Sequence, residues 1–338
     1  MVVSKQSTLA AHRLLIIGVG SIGERHLRCA QRTERAELMI CEVNSKLRGT
    51  IAERYGICQA FADSDAALSA RPTAAVICVP AHLHVPLASR LVDNGIHVLI
   101  EKPLSTSLDG VVHLEQAVTE RGVVAAVAYV LRTNPNLAAM RKALHAGRFG
   151  KPVQLVAVSG QDFPFYRPGY RDTYYKDRAS GGGAIQDALS HIINAGEWLI
   201  GPVDRVIADA AHCVVPDVDV EDTVHVMARH RDVLASYALN RHQAPNELTI
   251  TVVCERGTLR CEFHENRWRW ITEPGNSWHD EPGPVYERDD LFVTQLSALF
   301  DAIERRASPH CTLQEGIQTL RVNLALLRSL TTGAWTSS

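Results

Sequence analysis

The stretch LLIIGVGSIGERHL, which begins at Leu14, constrains the fold more than any other: an apolar run, then glycines at 18, 20 and 23 spaced as GxGxxG, then a helical pattern. Glycines at these points permit a tight turn and close approach of a ligand to the backbone. A helix that starts there offers free N–H groups and a partial positive charge. Alone the motif is weak. Between a strand and a helix it reads as the pyrophosphate cradle of a dinucleotide, made by Gly18, Gly20, Ser21, Ile22 and Gly23.

The next hundred residues continue that alternation. The patterns predict strands over 14–18, 37–41, 74–79, 96–100 and 123–129, with helices over 21–31, 45–55, 63–69, 86–94 and 107–121. Continuous apolar strands between helices imply a parallel sheet covered on both faces, with its binding crevice at the carboxyl ends of the strands. The character changes after Tyr129. A helix over 137–146 and a strand over 153–159 lead into a long irregular stretch, 160–183, and a helix over 184–200. Strands follow over 206–213, 223–228, 233–239, 248–254, 257–263 and 268–271, and two helices close the chain over 289–306 and 313–330. Short links between the late strands suggest antiparallel pairing.

A length of 338 residues suits two domains. Lys and Arg number 35 against 37 Asp and Glu, a net charge of -2, which argues against nucleic acid or an anionic membrane as the main partner. Eight scattered cysteines include no CxxC pair. The first residues hold no apolar signal segment, and the longest apolar run, 123–131, falls far below the ~18 residues of a membrane span. These features read as a protein of the reducing cytoplasm.

Further side chains stand at predicted strand ends. Glu42, 22 residues past Gly20, is placed to bind the adenosine ribose and to repel a 2′-phosphate, which favours NAD over NADP; Lys46 and Arg48 nearby are the features that speak for NADP. His82 and His84 form an HxH with no third ligand near, so no metal site is expected; a histidine lining the cofactor is the preferred reading. HVLIEKPLS puts Glu101 and Lys102 at the end of a buried strand, stopped by Pro103. In GGGAIQDALSHIINAGEWL, Asp187, His191 and Asn194 fall within about 60° of one another on an ideal helix, opposite the apolar face. The 160–183 stretch is rich in aromatics, Tyr166 among them, and in cations such as Arg167 and Arg171, which suits the wall of a sugar pocket, with an anionic group on the substrate as one possibility. Pairing of these arginines with Asp162, Asp172, Asp177 or a neighbouring subunit is the alternative.

GxGxxG, Glu101-Lys102-Pro103 and Asp187-x-x-x-His191, in that order, resemble the glucose–fructose oxidoreductase / inositol dehydrogenase / MocA (Gfo/Idh/MocA) family over about residues 14–330. Pro80 and His84 look like its cofactor-loop P-x-x-x-H, and YVLRTNP, with Arg132, looks like its interdomain segment, although the aromatic often found after the arginine is missing. The resemblance implies an α/β chain: a Rossmann dinucleotide-binding domain over 10–131 and an α+β domain over 132–338 with an open, mainly antiparallel sheet. It implies an NAD(P)-dependent dehydrogenase or reductase acting on a sugar, cyclitol or polyol, and a homodimer or homotetramer joined through that sheet. Lys102 would stabilise alkoxide character, His191 would take the hydroxyl proton, and Asp187 would orient the imidazole or bind substrate. Pro80, His84, Glu101 and Lys102 would line the cofactor; Lys102, Arg132, Tyr166, Arg167, Arg171, Asp187 and His191 would meet the substrate. An NAD-using glycosidase or epimerase on the same fold, and a non-catalytic regulator, are the competing functions.

Overall fold

The computed structural model describes residues 12–338. The expected domain start at residue 10 and the reading of the first residues as free of an apolar signal segment concern positions outside the described residues.

The first unit alternates strands β1 (His12–Ile17), β2 (Ala36–Cys41), β3 (Gln59–Phe61), β4 (Ala74–Ile77), β5 (His97–Ile100) and β6 (Ala125–Val127) with helices α1 (Ser21–Thr33), α2 (Ser45–Tyr55), α3 (Ser64–Ser69), α4 (His84–Asp93) and α5 (Val111–Arg121). All strand pairs are parallel, in the order β3-β2-β1-β4-β5-β6. That is the order of a dinucleotide-binding sheet, with the crevice between β1 and β4 where the winding reverses. Leu14 to Ile17 are sealed on both faces, and each such apolar side chain contributes roughly 1.5–3 kcal/mol. β3 carries no signal of its own in the sequence because three residues are too few for a pattern.

Beyond the 3-10 turn Val130–Thr133 the second unit follows: α6 (Pro135–His145), β7 (Pro152–Gly160), α7 (Phe163–Tyr166), a π turn (Ile185–Leu189) running into α8 (Ser190–Ile200), then β8 (Arg205–Ala211), β9 (Thr223–His230), β10 (Val233–Asn240), β11 (Glu247–Cys254), β12 (Gly257–Glu262), β13 (Arg267–Ile271), β14 (His279–Pro282), α9 (Arg288–Ile303), α10 (Leu313–Thr332) and β15 (Thr336–Ser337). The nine strands form one open sheet, β14-β13-β12-β11-β7-β10-β9-β8-β15, antiparallel except for the β7–β10 pair. Helices α6, α8 and α10 pack on one face, around Leu155, Ile193, Tyr237 and Leu326. The other face keeps Val158, Met227 and Leu234 exposed.

The last helices return to the first unit. Phe292, Leu296 and Phe300 of α9 join Leu14 and Ile16 in one core cluster, and α10 contributes Ile317 and Leu320 to another. α9 thereby lies along α1, close to the carboxyl end of β5. Among the described residues no helix is long and apolar enough to cross a membrane.

Candidate active site

The glycine loop has the shape its motif demands. Gly18 adopts φ +81°, and a Cβ there would lie 2.8 Å from the main-chain oxygen of Cys78. A Cβ on Gly23 would collide with the main-chain oxygen of Gly18, while Gly20 faces open space. Gly20 precedes α1 with no side-chain cap, so the first N–H groups of the helix, at exposed Ser21 and partly buried Ile22, remain for a phosphate. These features fit the pyrophosphate of NAD or NADP. Glu42 accepts from the backbone N–H of Val19 at 3.1 Å and of Asn44 at 2.9 Å, so its carboxylate closes the same loop from β2.

At the end of β5 the buried Glu101 is fully engaged. His26 Nε2 on α1 donates to Oε1 at 2.7 Å, and the Lys102 N–H donates to Oε2 at 3.0 Å. Burial works to raise this carboxyl, but the His26 bond and the nearby Lys102 charge outweigh it and hold the pKa below its ordinary value. Glu101 therefore fixes the loop that carries Lys102. His84, expected beside the cofactor, is placed differently. It is 1% exposed, with Nδ1 3.0 Å from the Pro103 oxygen and Nε2 2.7 Å from the Val79 oxygen. The ring ties the loop after β4, where Pro80 leads a short 3-10 turn, to the loop after β5. His82 is exposed, so the two histidines of the HxH face different surroundings. Among the described residues no group of three His, Cys, Asp or Glu could hold a metal.

The second unit brings Asp187 onto Lys102. Lys102 Nζ donates to Asp187 Oδ1 at 2.8 Å and to its main-chain oxygen at 2.9 Å. Tyr174 OH donates to the same Oδ1 at 2.9 Å, and the Arg241 guanidinium pairs with Oδ2. Burial would raise this carboxyl; Lys102 and Arg241 prevail and hold it far below the carboxylate range. Arg241 is itself buried, over the Phe163 ring at 4.3 Å. Nothing in the sequence marks it, because it follows an ordinary strand and meets Asp187 only through the fold. Tyr174 belongs to the aromatic stretch, and its hydroxyl pKa is raised, first by the Asp187 charge and then by burial.

Asp187 does not orient His191, contrary to the expectation. Its carboxylate is fully occupied by Lys102, Tyr174 and Arg241. The reason is local: residues Ile185–Leu189 form a π turn, which shifts the phase of an ideal helix and separates i,i+4 neighbours. His191 instead stands edge-on to Tyr129, with ring centroids 5.8 Å apart, and its Nδ1 is buried without a protein partner. Burial, then the Lys102 charge, pushes its pKa down to about 3. Asn194 turns inward, accepting from Arg132 Nε at 2.7 Å and donating to Thr319.

Arg132, expected at the substrate, is likewise an interior residue. It is 2% exposed and its Nη1 donates to Glu315 Oε1 at 2.5 Å and to the His310 oxygen at 3.1 Å. The structure does not bring it to Asp187 or His191.

The irregular stretch is ordered by its own small core. Phe163, Tyr170 and Tyr175 pack with Val215, Val218 and Val220, between α7 and three short 3-10 turns. Tyr166 packs edge-on against Phe165, and both rings are exposed. Arg171 pairs with Asp217 at 2.6 Å. Asp162 and Asp177 cap the turns that follow them. Glu221 accepts from the Ile185 N–H at 3.0 Å and from Arg178 at 2.6 Å, which anchors the start of the π turn. Arg167 closes α7.

Comparison with known proteins places the fold among relatives. A model of an oxidoreductase family with an NAD-binding Rossmann fold matches residues 12–129, and that of the Gfo/Idh/MocA C-terminal domain matches residues 137–260. An inositol 2-dehydrogenase of Rhizobium meliloti is 26% identical over 94% of this chain and 96% of its own length. A D-xylose 1-dehydrogenase (NADP(+)) of Haloferax volcanii is 23% identical over 94% and 97%. Among solved structures, a levoglucosan dehydrogenase complex with NADH superposes with a TM-score of 0.88 at 20% identity, covering 97% of this chain and 99% of that one. The WlbA dehydrogenase of Bordetella pertussis, in complex with NADH and UDP-GlcNAcA, gives 0.85 at 25% identity, covering 98% and 99%. The chain belongs to the Gfo/Idh/MocA oxidoreductases.

Proposed function

We propose that this Gfo/Idh/MocA oxidoreductase moves a hydride between a nicotinamide cofactor and a hydroxyl-bearing carbon of a sugar, cyclitol or related polyol. The observation that carries the reading is the placement of Lys102, whose ammonium is held by Asp187 through two bonds. An ammonium has three N–H donors, so one is left for a substrate oxygen.

When bound, the nicotinamide supplies the carbon that accepts or donates the hydride. The chain supplies the rest. The third N–H of Lys102 polarises the substrate hydroxyl and stabilises its oxygen as negative charge develops. His191 is neutral at pH 7 because burial and Lys102 push it down, so it can accept the hydroxyl proton. It is a weaker base than free imidazole, and the negative charge of Asp187 acts to raise its proton affinity. Asp187 thus serves both partners: it fixes the lysine and offsets the charge that forms on the imidazole. Arg241 and Tyr174 keep its carboxylate ionised and in place. The test is a panel of polyols assayed for NADH formation with wild-type protein. Turnover on at least one sugar or cyclitol supports the reading; cofactor binding with no turnover on any member removes it.

Four finer assignments belong to the same proposal. Glu42, on the glycine loop at the end of β2, favours NAD over NADP. The uncovered face of the second sheet, with Val158, Met227 and Leu234 exposed, is covered by another copy of the chain, since sheets rarely leave such a face to water. Residues 132–338 carry substrate binding and assembly, 10–131 carry the cofactor, and eight free cysteines suit a reducing cytoplasm.

A further inference from the structure

Three arginines that the reaction proposed above does not use act on one another through their charges beside this site. Arg25 lies on α1, Arg167 at the end of α7, and Arg288 at the first position of α9. The packing of α9 on α1 sets two of them. Arg25 Nε is 3.1 Å from Asp289 Oδ1, and its guanidinium lies 5.4 Å from the Phe292 ring centroid. That ring stands edge-on to His26 at 5.3 Å, and His26 bonds Glu101, the chain neighbour of Lys102. Arg288 precedes Phe292 by one helical turn and so shares its face. Its side chain starts from the end of α9 nearest the catalytic loop and keeps solvent access.

Arg167 arrives from the other side. It follows α7, whose Phe163 ring supports Arg241, the partner of Asp187. Arg25 and Arg28 share Asp289. Among the described side chains no carboxylate lies within ion-pair distance of Arg167 or Arg288. Burial, then the charges of Arg25 and Arg167, pushes Arg288 down to about 10, and the Arg288 charge is felt at His191. Asp289 answers Arg25 and Arg28, and the remaining like charges repel one another until a further anion joins them.

We propose that Arg288 and Arg167, backed by Arg25, form a subsite for an anionic group, a carboxylate or phosphate, carried by the substrate next to the hydroxyl that reacts. The inference rests on the dehydrogenase reading for the nature of that substrate. A forked guanidinium suits both anions, and the cofactor's own phosphates are the competing source of the same chemistry.

Calorimetric titration of the NADH-loaded protein with D-glucuronate, D-glucose 6-phosphate and D-glucose separates the sources. It reads binding, so it stands apart from whether any polyol is oxidised. Wild type is expected to bind the better anionic sugar about tenfold or more tightly than D-glucose, as one charge-assisted bond allows. Arg288→Gln and Arg167→Gln should each erase most of that difference and leave NADH affinity unchanged. Equal binding of the three sugars, or no detectable binding of either anionic one, overturns the proposal. Loss of NADH affinity in Arg288→Gln also overturns it and assigns the cluster to the cofactor. Failure of every polyol to yield NADH would instead strike the dehydrogenase reading and leave this comparison standing.

Discussion

Lys102 Nζ lies 2.8 Å from Asp187 Oδ1 and 2.9 Å from the main-chain oxygen of the same residue. One residue on the π turn of the second unit thus holds, by two bonds, the lysine that the first unit delivers from the end of β5. This pair bridges the two units across the cleft. Behind the lysine, Glu101 and His26 fix its loop. Behind the aspartate, Arg241 and Tyr174 fix the carboxylate. The His26–Glu101 and Arg241–Asp187 pairs are largely buried, where charge pairs act through a lower effective dielectric than at the surface; Tyr174 is exposed.

Arg241→Met tests the second support. Asp187 loses one of the two charges that oppose its burial, so its pKa rises. The acid limb of kcat/KM should move to higher pH, and turnover should fall about tenfold or more, with NADH affinity unchanged. A pH profile that matches wild type would remove Arg241 from the site.

His191 bears on stability as well as chemistry. Its folded pKa, about 3, lies below the ordinary ~6.5 of an unfolded histidine. Between those values the unfolded chain binds more protons than the folded one. The contribution of His191 is therefore intact above pH ~6.5 and is lost as pH falls toward 3. His191→Gln should flatten the decline of Tm from pH 7 to pH 4. Parallel Tm curves for variant and wild type would show that His191 titrates normally.

Arg132→Leu separates an interior role from a substrate role. It leaves Asn194 Oδ1 and the Glu315 carboxylate without their donor. A sealed pair broken on one side costs roughly 3–5 kcal/mol. The Glu315 side chain is 41% exposed, so water answers part of the loss, and about 2–3 kcal/mol is expected in denaturant unfolding. KM of the folded fraction should be unchanged. A raised KM with unaltered stability would return Arg132 to the substrate site.

Glu42→Ala addresses cofactor choice. Wild type should bind NADH more tightly than NADPH, and the variant should narrow the gap by removing both the ribose acceptor and the repulsion of a 2′-phosphate. Fluorescence titration of both cofactors measures it. Tighter NADPH binding by wild type would shift the argument to Lys46 and Arg48.

What was legible in the sequence followed from period and punctuation. The apolar strands and the GxGxxG turn placed the first sheet and its crevice, because both faces of that sheet are buried and its motif is local. HVLIEKPLS and the glycine run before Asp187 also stand out locally, and the fold brings Lys102 Nζ within 2.8 Å of Asp187 Oδ1. What escaped depends on contacts between distant segments. Arg241 is 54 residues from Asp187, and Arg25 is 264 from Asp289. The π turn escaped because an ideal 3.6-residue wheel has no provision for a widened turn, and that error put Asp187 against His191 and Asn194 on the open face. His84 is expected at the cofactor from its loop and its likeness to P-x-x-x-H, and Arg132 at the substrate from the likeness of its interdomain segment; neither cue tells that the side chain meets buried partners instead. The polar edge strand β14 has no alternation to betray it.

The most direct test of the central claim is hydride transfer by Lys102→Met, followed as NADH formation with the best polyol of the panel. Methionine keeps most of the volume and removes the ammonium. The account predicts a loss of about 100- to 1,000-fold in kcat, the scale for one donor aimed at a developing oxyanion, with the NADH dissociation constant of the folded protein close to wild type. Turnover within a fewfold of wild type would contradict it, because the charge held by Asp187 would then play no part in the chemistry.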